Sequence, residues 1–201
     1  KGYVIKEYFA NYSLHNSDVT FDLKNDITKV HHNNCEPWNI TLIDTGQNTM
    51  TGGRLKRVKK FVNDDDIFCF TYGDGLADIN INSLVKFHRS HSKLATITAV
   101  KPQGRYGAID IKDNCVKCFV EKPIGQDGYI NGGFFILSPK VIDFISDDTT
   151  SWEKEPLSLL SENNELMAYF HEGFWQPMDT LRDRNRLQEL WEKGEAPWKV
   201  W

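Results

Sequence analysis

One short stretch sets a carboxylate between two glycines at the end of an apolar run: Ile67-Phe68-Cys69-Phe70-Thr71-Tyr72, then Gly73-Asp74-Gly75. The uncharged run reads as a strand buried on both faces, with Cys69 a buried small hydrophobe. In open α/β sheets, ligands bind just beyond the carboxyl ends of strands. Glycines there let a bulky anion approach the backbone. A single Asp at such a place suits Mg²⁺, which takes one or two carboxylates and completes its octahedron with phosphate oxygens and water. Gly-Asp-Gly is also ordinary turn chemistry. A second carboxylate, Asp179, ends the proline-stiffened segment Phe174-Trp175-Gln176-Pro177-Met178-Asp179-Thr180. Asp179 or Thr180 can equally cap the next helix, with Asp183 in its first turn.

Three further groupings have ligand-binding chemistry. Glu121-Lys122-Pro123 follows a strand pattern; Lys122 is a compact charge suited to a phosphate monoester, and Glu121 can accept from sugar hydroxyls. Arg105-Tyr106-Gly107-Ala108 and Asn131-Gly132-Gly133 put glycine beside polar or aromatic side chains, as a close sugar pocket or a hairpin requires. Asp44-Thr45-Gly46, Thr49 and Thr51-Gly52-Gly53-Arg54 form a Gly/Thr-rich loop opening a helix, where amides and an arginine can receive a base or phosphate. His88 and His91 share a helix face without a third ligand, and the histidines read as structural or solvated. No Ser/His/Asp order or paired-carboxylate motif marks an acyl-transfer enzyme or a glycosidase.

These groups need a rigid frame, and the patterning supplies one. Helices are predicted over Tyr3–Tyr12, Leu55–Phe61, Ile81–His91 (with Asn80 as cap), Val141–Ile145, Pro156–Leu160 and Leu181–Trp191. Strands are predicted near Val19–Leu23, Ile27–His31, Ile40–Ile43, Ile67–Tyr72, Ala95–Lys101, Ala108–Ile111, Val116–Glu121, Tyr129–Leu137 and Leu166–His171. Strands alternating with helices imply an α/β fold with a mixed, mostly parallel central sheet and a small antiparallel insertion. Residues 1–201 read as one domain, with 174–201 a C-terminal helix and an aromatic tail (Pro197-Trp198, Trp201) that packs on its own core.

A net charge of −4 gives no basic excess for nucleic acid or an anionic membrane, although a phosphorylated small molecule needs only a local cluster of donors. No apolar stretch reaches bilayer length. Cys115 and Cys118 sit three apart in an alternating pattern, so the thiols face opposite sides of a strand and a zinc site is not implied. Cysteine usage favours a reducing cytoplasm.

Together the segments resemble the sugar-phosphate nucleotidyltransferase family, over essentially the whole chain. The distinctive pieces are Asp44-Thr45-Gly46, Thr51-Gly52-Gly53-Arg54-Leu55-Lys56-Arg57, Trp152-Glu153-Lys154-Glu155-Pro156-Leu157 and Gly173-Phe174-Trp175-Gln176-Pro177-Met178-Asp179-Thr180-Leu181-Arg182-Asp183. The Thr-Gly-Gly-Arg loop resembles the members that transfer a cytidylyl group. The resemblance implies a Rossmann-like fold and transfer from CTP to α-D-glucose 1-phosphate, giving CDP-glucose and pyrophosphate. It implies Asp74 and Asp179 as Mg²⁺ ligands, and Thr49, Arg54 and Gly73 at the nucleotide. It implies Gly107, Glu121, Lys122 and Asn131 at the sugar phosphate, with Lys122 also catalytic. It further implies a homo-oligomer. A UTP- or dTTP-using relative and a catalytically silent sugar-nucleotide-binding subunit are the alternatives. The family begins with a strand, a Gly-rich loop containing arginine and a Pro-Lys-Pro segment, and none of these lies within this sequence. The expectation is that turnover requires that segment.

Overall fold

Alternation along Ile130–Leu137 sends Phe135 and Leu137 to one face of a sheet and Phe134 and Ile136 to the other, and the fold is built around that strand. The computed structural model describes residues 1–101, 107–112, 115–121 and 128–200, with the strand pairing alone described for 107–112 and 115–121. Contacts divide the chain into two units, Lys1–Gln47 and Asn48–Trp201.

The first unit contains α1 (Gly2–Ala10), α2 (Tyr12–His15) and a hairpin of β1 (Ser17–Asp22) and β2 (Ile27–Asn33). Aromatic rings hold it together: Tyr12 packs on Tyr8, Phe9 and Trp38, and its hydroxyl donates to Glu36 at 2.6 Å. The phenol is pushed up to about 12 by that hydrogen bond first. The strand predicted at Ile40–Ile43 is absent, and the segment is irregular. A four-residue run without a strand partner has no ladder to satisfy its amides.

The second unit holds α3 (Thr51–Arg57), β3 (Phe68–Thr71), β4 (Gly75–Ala77), α4 (Ile81–His91), β5 (Ala95–Val100), β6 (Gly107–Lys112), β7 (Cys115–Glu121), β8 (Ile130–Leu137), α5 (Glu155–Glu162), β9 (Leu166–His171), β10 (Trp175–Pro177) and α6 (Leu181–Glu192). 3₁₀ segments lie at Lys59–Phe61 and Pro139–Phe144. The main sheet runs β3-β8-β5-β9. It is mixed, as expected, though of its three described pairings only β5–β9 is parallel. One face carries Leu55, Phe135, Leu137, Val141, Ile142, Trp152 and Leu160, under α3, the Pro139–Phe144 turn and α5. The other face packs Ile136 with Ile79 and Leu84 of the α4 segment. The predicted antiparallel insertion is the β6–β7 hairpin.

Asn80 caps α4 as expected, its side chain accepting from Ser83 N at 2.9 Å. β3 is not buried on both faces: Phe68 and Phe70 are half-buried while Cys69 and Thr71 are exposed. The reason is positional, since β3 ends the described sheet and only one of its faces meets the core. Trp198 of the tail packs on Phe174 with ring centroids 5.5 Å apart, while Trp201 lies outside the described residues.

Candidate active site

At Tyr72 the chain leaves the main sheet. The Tyr72 amide donates to Gly133 O at 3.2 Å, extending the β3–β8 ladder by one residue. Gly73 and Asp74 then turn into β4, which pairs antiparallel with β10 through Gly75–Pro177, Leu76–Gln176 and Ala77–Trp175. Met178 N donates to Asp74 O at 2.7 Å and carries that pairing one residue further. Asp74 and Asp179 therefore leave adjacent strands at the same end of a two-stranded ribbon. Both are exposed, and neither is wedged into the core. Thr180, not Asp179, is the N-cap of α6. Its hydroxyl accepts from Asp183 N, and Asp183 returns to the Thr180 amide in a full capping box. Capping is thus assigned to a neighbour, and Asp179 sits just before the helix.

The ribbon is tied to the sheet beside it. Trp175 Nε1 donates to Gly132 O at 2.8 Å. Asn131 accepts from Gly133 N at 2.8 Å and reaches the Tyr72 hydroxyl at 3.4 Å. Gly133 has φ +78°, and a Cβ there would meet the Tyr72 ring at 2.8 Å, so glycine is required twice over. The Tyr72 hydroxyl donates to Glu153 Oε1 at 2.6 Å, and the other oxygen of Glu153 accepts from Thr51 Oγ1 at 2.7 Å. Burial, with the Glu153 hydrogen bond next, pushes the Tyr72 phenol well above its ordinary range. One carboxylate thus joins the start of α3 to the strand end that leads into Asp74. Glu153 and Tyr72 stand inside motifs the sequence singles out, yet no spacing marks them as partners 81 residues apart.

At the Thr-Gly-Gly-Arg helix start the chain packs closely on the 148–152 segment. Met50 N donates to Asp148 O at 2.8 Å and Gly53 N to Thr150 O at 3.2 Å, so two amides near the helix start already have protein partners. Gly52 and Gly53 are buried against backbone of the 148–152 segment. Lys56 Nζ donates to Ile145 O and Ser146 O, both at 2.8 Å, and Arg57 forms a bidentate pair with Asp148. That pair holds the Asp148 carboxyl below its usual range. Thr49 is buried with its methyl against Gly53, and Arg54 is half-buried on the same helix. In the first unit, Asp44 accepts from Gly46 N at 2.8 Å, a turn closed by glycine at φ +83°.

Register sets Gly107 opposite Glu121 at the base of the β6–β7 hairpin. Lys122 lies outside the described residues. His88 and His91 both meet Thr96 Oγ1 at 2.8 Å, a structural use. Among the described residues no group of three or more His, Cys, Asp or Glu is arranged to hold a metal, and no helix is long and apolar enough to cross a membrane. Two hard carboxylates beside a glycine turn nevertheless suit a magnesium ion that draws its other ligands from phosphate and water.

A strand-end glycine turn, a second acidic strand end laid against it and a sheet covered on both faces describe a nucleotide-handling α/β enzyme. The nucleotidyl transferase family profile matches residues 14–183, and the chain belongs to that family. It is 60% identical over 201 residues to the glucose-1-phosphate cytidylyltransferase of Salmonella typhimurium, covering all of this chain and 78% of that protein. It is 39% identical over 202 residues to a probable glucose-1-phosphate cytidylyltransferase of Bacillus subtilis, with the same coverage. Among solved structures, HddC from Yersinia pseudotuberculosis aligns with TM-score 0.52 and 25% identity, over 72% of this chain and 64% of that one.

Proposed function

We propose that this protein transfers a cytidylyl group from CTP to α-D-glucose 1-phosphate, releasing pyrophosphate and giving CDP-glucose. The observation that carries the reading is the Met178 N to Asp74 O hydrogen bond, which brings two carboxylates distant in sequence to one end of the β4–β10 ribbon. The 60% identity over the whole chain to a protein named for that reaction supports the choice of substrates.

Asp74 and Asp179 would hold Mg²⁺, which when bound neutralises phosphate charge and orients the α-phosphate. A phosphate oxygen of the sugar attacks the α-phosphorus in line. The new P–O bond forms as the bond to the β-phosphate breaks, and no covalent protein nucleophile is needed. Gly73, where an added Cβ would meet nothing within 4 Å, leaves room for the nucleotide, with Thr49 and Arg54 as its further contacts. Glu121 and Lys122, with Gly107 and Asn131, receive the sugar phosphate, a placement supported by the Gly107–Glu121 register. The reading includes a cytoplasmic setting, compatible with the free thiols of Cys35 and Cys69. It also includes a homo-oligomer, supported by the exposed apolar side chains of Tyr3, Ile5, Phe21 and Val30.

The test is Asp74→Asn in the full-length protein, assayed by pyrophosphate release from CTP and glucose 1-phosphate. Turnover should fall roughly a hundredfold or more, since metal-assisted charge stabilisation is worth several kcal/mol, with the melting temperature unchanged. Unaltered turnover would remove Asp74 from the chemistry.

A further inference from the structure

The end of the β4–β10 ribbon opposite the two aspartates is closed by a contact that the transfer chemistry does not use. Asp78 follows β4, and His171 ends β9. His171 Nε2 lies 3.0 Å from Asp78 Oδ1 and 3.1 Å from Phe174 O, so the nitrogen facing both oxygens carries the proton. Phe174 O also accepts from Asp78 N at 3.2 Å, the last backbone bond of the ribbon. Asp78 Oδ1 is shut off from solvent and makes no well-aligned hydrogen bond, so the imidazole is the group that offsets its burial. The His171 side chain is only 11% exposed, which limits competition from water.

Gly173 supplies an independent observation. A Cβ at that position would collide with the Asp78 carboxylate and come within 2.8 Å of His171 Cε1. The chain crosses directly over the pair, and a side chain at this position would have to push it aside.

From this end the ladder runs without interruption: Asp78–Phe174, Ala77–Trp175, Leu76–Gln176, Gly75–Pro177 and Met178 to Asp74. A ribbon with three paired residues per strand is marginal on its own, and its register depends on what holds its ends. We propose that His171, with Asp78, is a positioning residue: a latch at the base of the ribbon that fixes β10 against β4 and so sets the separation of Asp74 and Asp179 at its tip. The proposal rests on the reading of those two aspartates as the cation ligands. His171 touches neither substrate nor cation; it acts through backbone pairing.

The experiment compares His171→Ala, His171→Gln and Asp74→Asn in the full-length protein. The first readout is amide hydrogen exchange without nucleotide. Protection of the Met178 amide should fall at least tenfold in His171→Ala while Thr96 and Thr98 in β5 keep theirs, and His171→Gln, which retains an N–H donor, should restore it. The second readout is Mn²⁺ binding in the presence of CTP, followed by loss of the free-ion electron paramagnetic resonance signal. Affinity should weaken at least threefold in His171→Ala and stay within twofold of wild type in His171→Gln. If His171→Ala does not fold, Gly173→Ala presses on the same pair and is expected to give the same exchange pattern. Unchanged Met178 protection, or loss in step with the β5 amides, overturns the latch. Intact Mn²⁺ binding in Asp74→Asn overturns the cation reading instead, and the Met178 amide still judges the latch by itself.

Discussion

Two glycine pairs in this chain look alike in sequence and differ in cause. Around Gly73 a Cβ would meet nothing within 4 Å, and around Gly75 its nearest neighbour would be an ordinary contact at 3.8 Å. At Gly53 it would come within 2.6 Å of Asp148 Cα and 2.7 Å of Asp148 O, and at Gly52 within 2.7 Å of Thr150 O. The first pair keeps space open beside a carboxylate. The second closes space, letting α3 lie directly on the 148–152 backbone, with Lys56 and Arg57 tightening the same contact from the far end of the helix. Glycine enrichment near a helix start is therefore not by itself a mark of a phosphate cradle. The question that separates the cases is what a methyl group would touch.

Gly53→Ala and Gly73→Ala should have opposite consequences. Backbone atoms cannot swing away as a flexible side chain can, so Gly53→Ala should cost about 1–3 kcal/mol, the usual price of overpacking. Thermal unfolding should show that loss. Gly73→Ala should leave stability within about 0.5 kcal/mol. Its methyl stands where the nucleotide is proposed to lie, so the KM for CTP should rise about tenfold, equivalent to roughly 1.4 kcal/mol. Equal drops in melting temperature for the two variants would erase the distinction.

A smaller effect probes the link between the two regions. Glu153 accepts from Thr51 at the closed glycine pair and from Tyr72 at the edge of the open one. Tyr72→Phe removes the hydrogen bond to Glu153, whose carboxylate is exposed to water, and the longer one from Asn131, so about 1 kcal/mol of stability should be lost. Thr51→Val also strips the acceptor from Trp152 N at 2.9 Å and should lose more, about 1–3 kcal/mol. In the double variant the losses should fall short of additive, because both hydroxyls hold one carboxylate. Strict additivity in chemical denaturation would show that the two regions are independent.

How much of this could be read beforehand depended on the length of each element. The limits of α4 and β9 match the periodic pattern residue for residue, and α6 differs by one, because eleven or twelve residues repeat the helical period and six carry a clear strand pattern. β4 and β10 have three residues each, with glycine at the start of one and proline at the end of the other, so no periodicity exists to detect. Those two strands bring Asp74 to Asp179. The carboxylates are visible as residue types next to glycine and before a helix, and the family resemblance pairs them, but no periodicity shows the strand pairing that brings them together. The error at Cys69 has a similar origin: an apolar run reports hydrophobicity but not whether its strand lies inside a sheet or at its edge.

A pH-dependent effect concerns a region apart from both glycine pairs, where polar groups are buried for packing alone. His88 is 4% exposed between α4 and β5, sharing the Thr96 hydroxyl with His91. His91 Nδ1 accepts from Lys93 N, so the His91 Nε2–H donates to Thr96 and the threonine proton can turn toward His88. Neutral rings satisfy this chain; a proton added at His88 Nδ1 would set two donors against one another. Burial first, then His91 and Arg89, lower the His88 pKa from 6.5 to about 4. Between those values the unfolded chain binds the extra proton and the folded chain does not, so stability present above pH 6.5 declines as pH falls toward 4. Denaturant unfolding of wild type and His88→Gln across that window should show a gap that narrows with acidification. A gap independent of pH would mean that His88 is replaceable as a shape and that its protonation plays no part in holding α4 on the sheet.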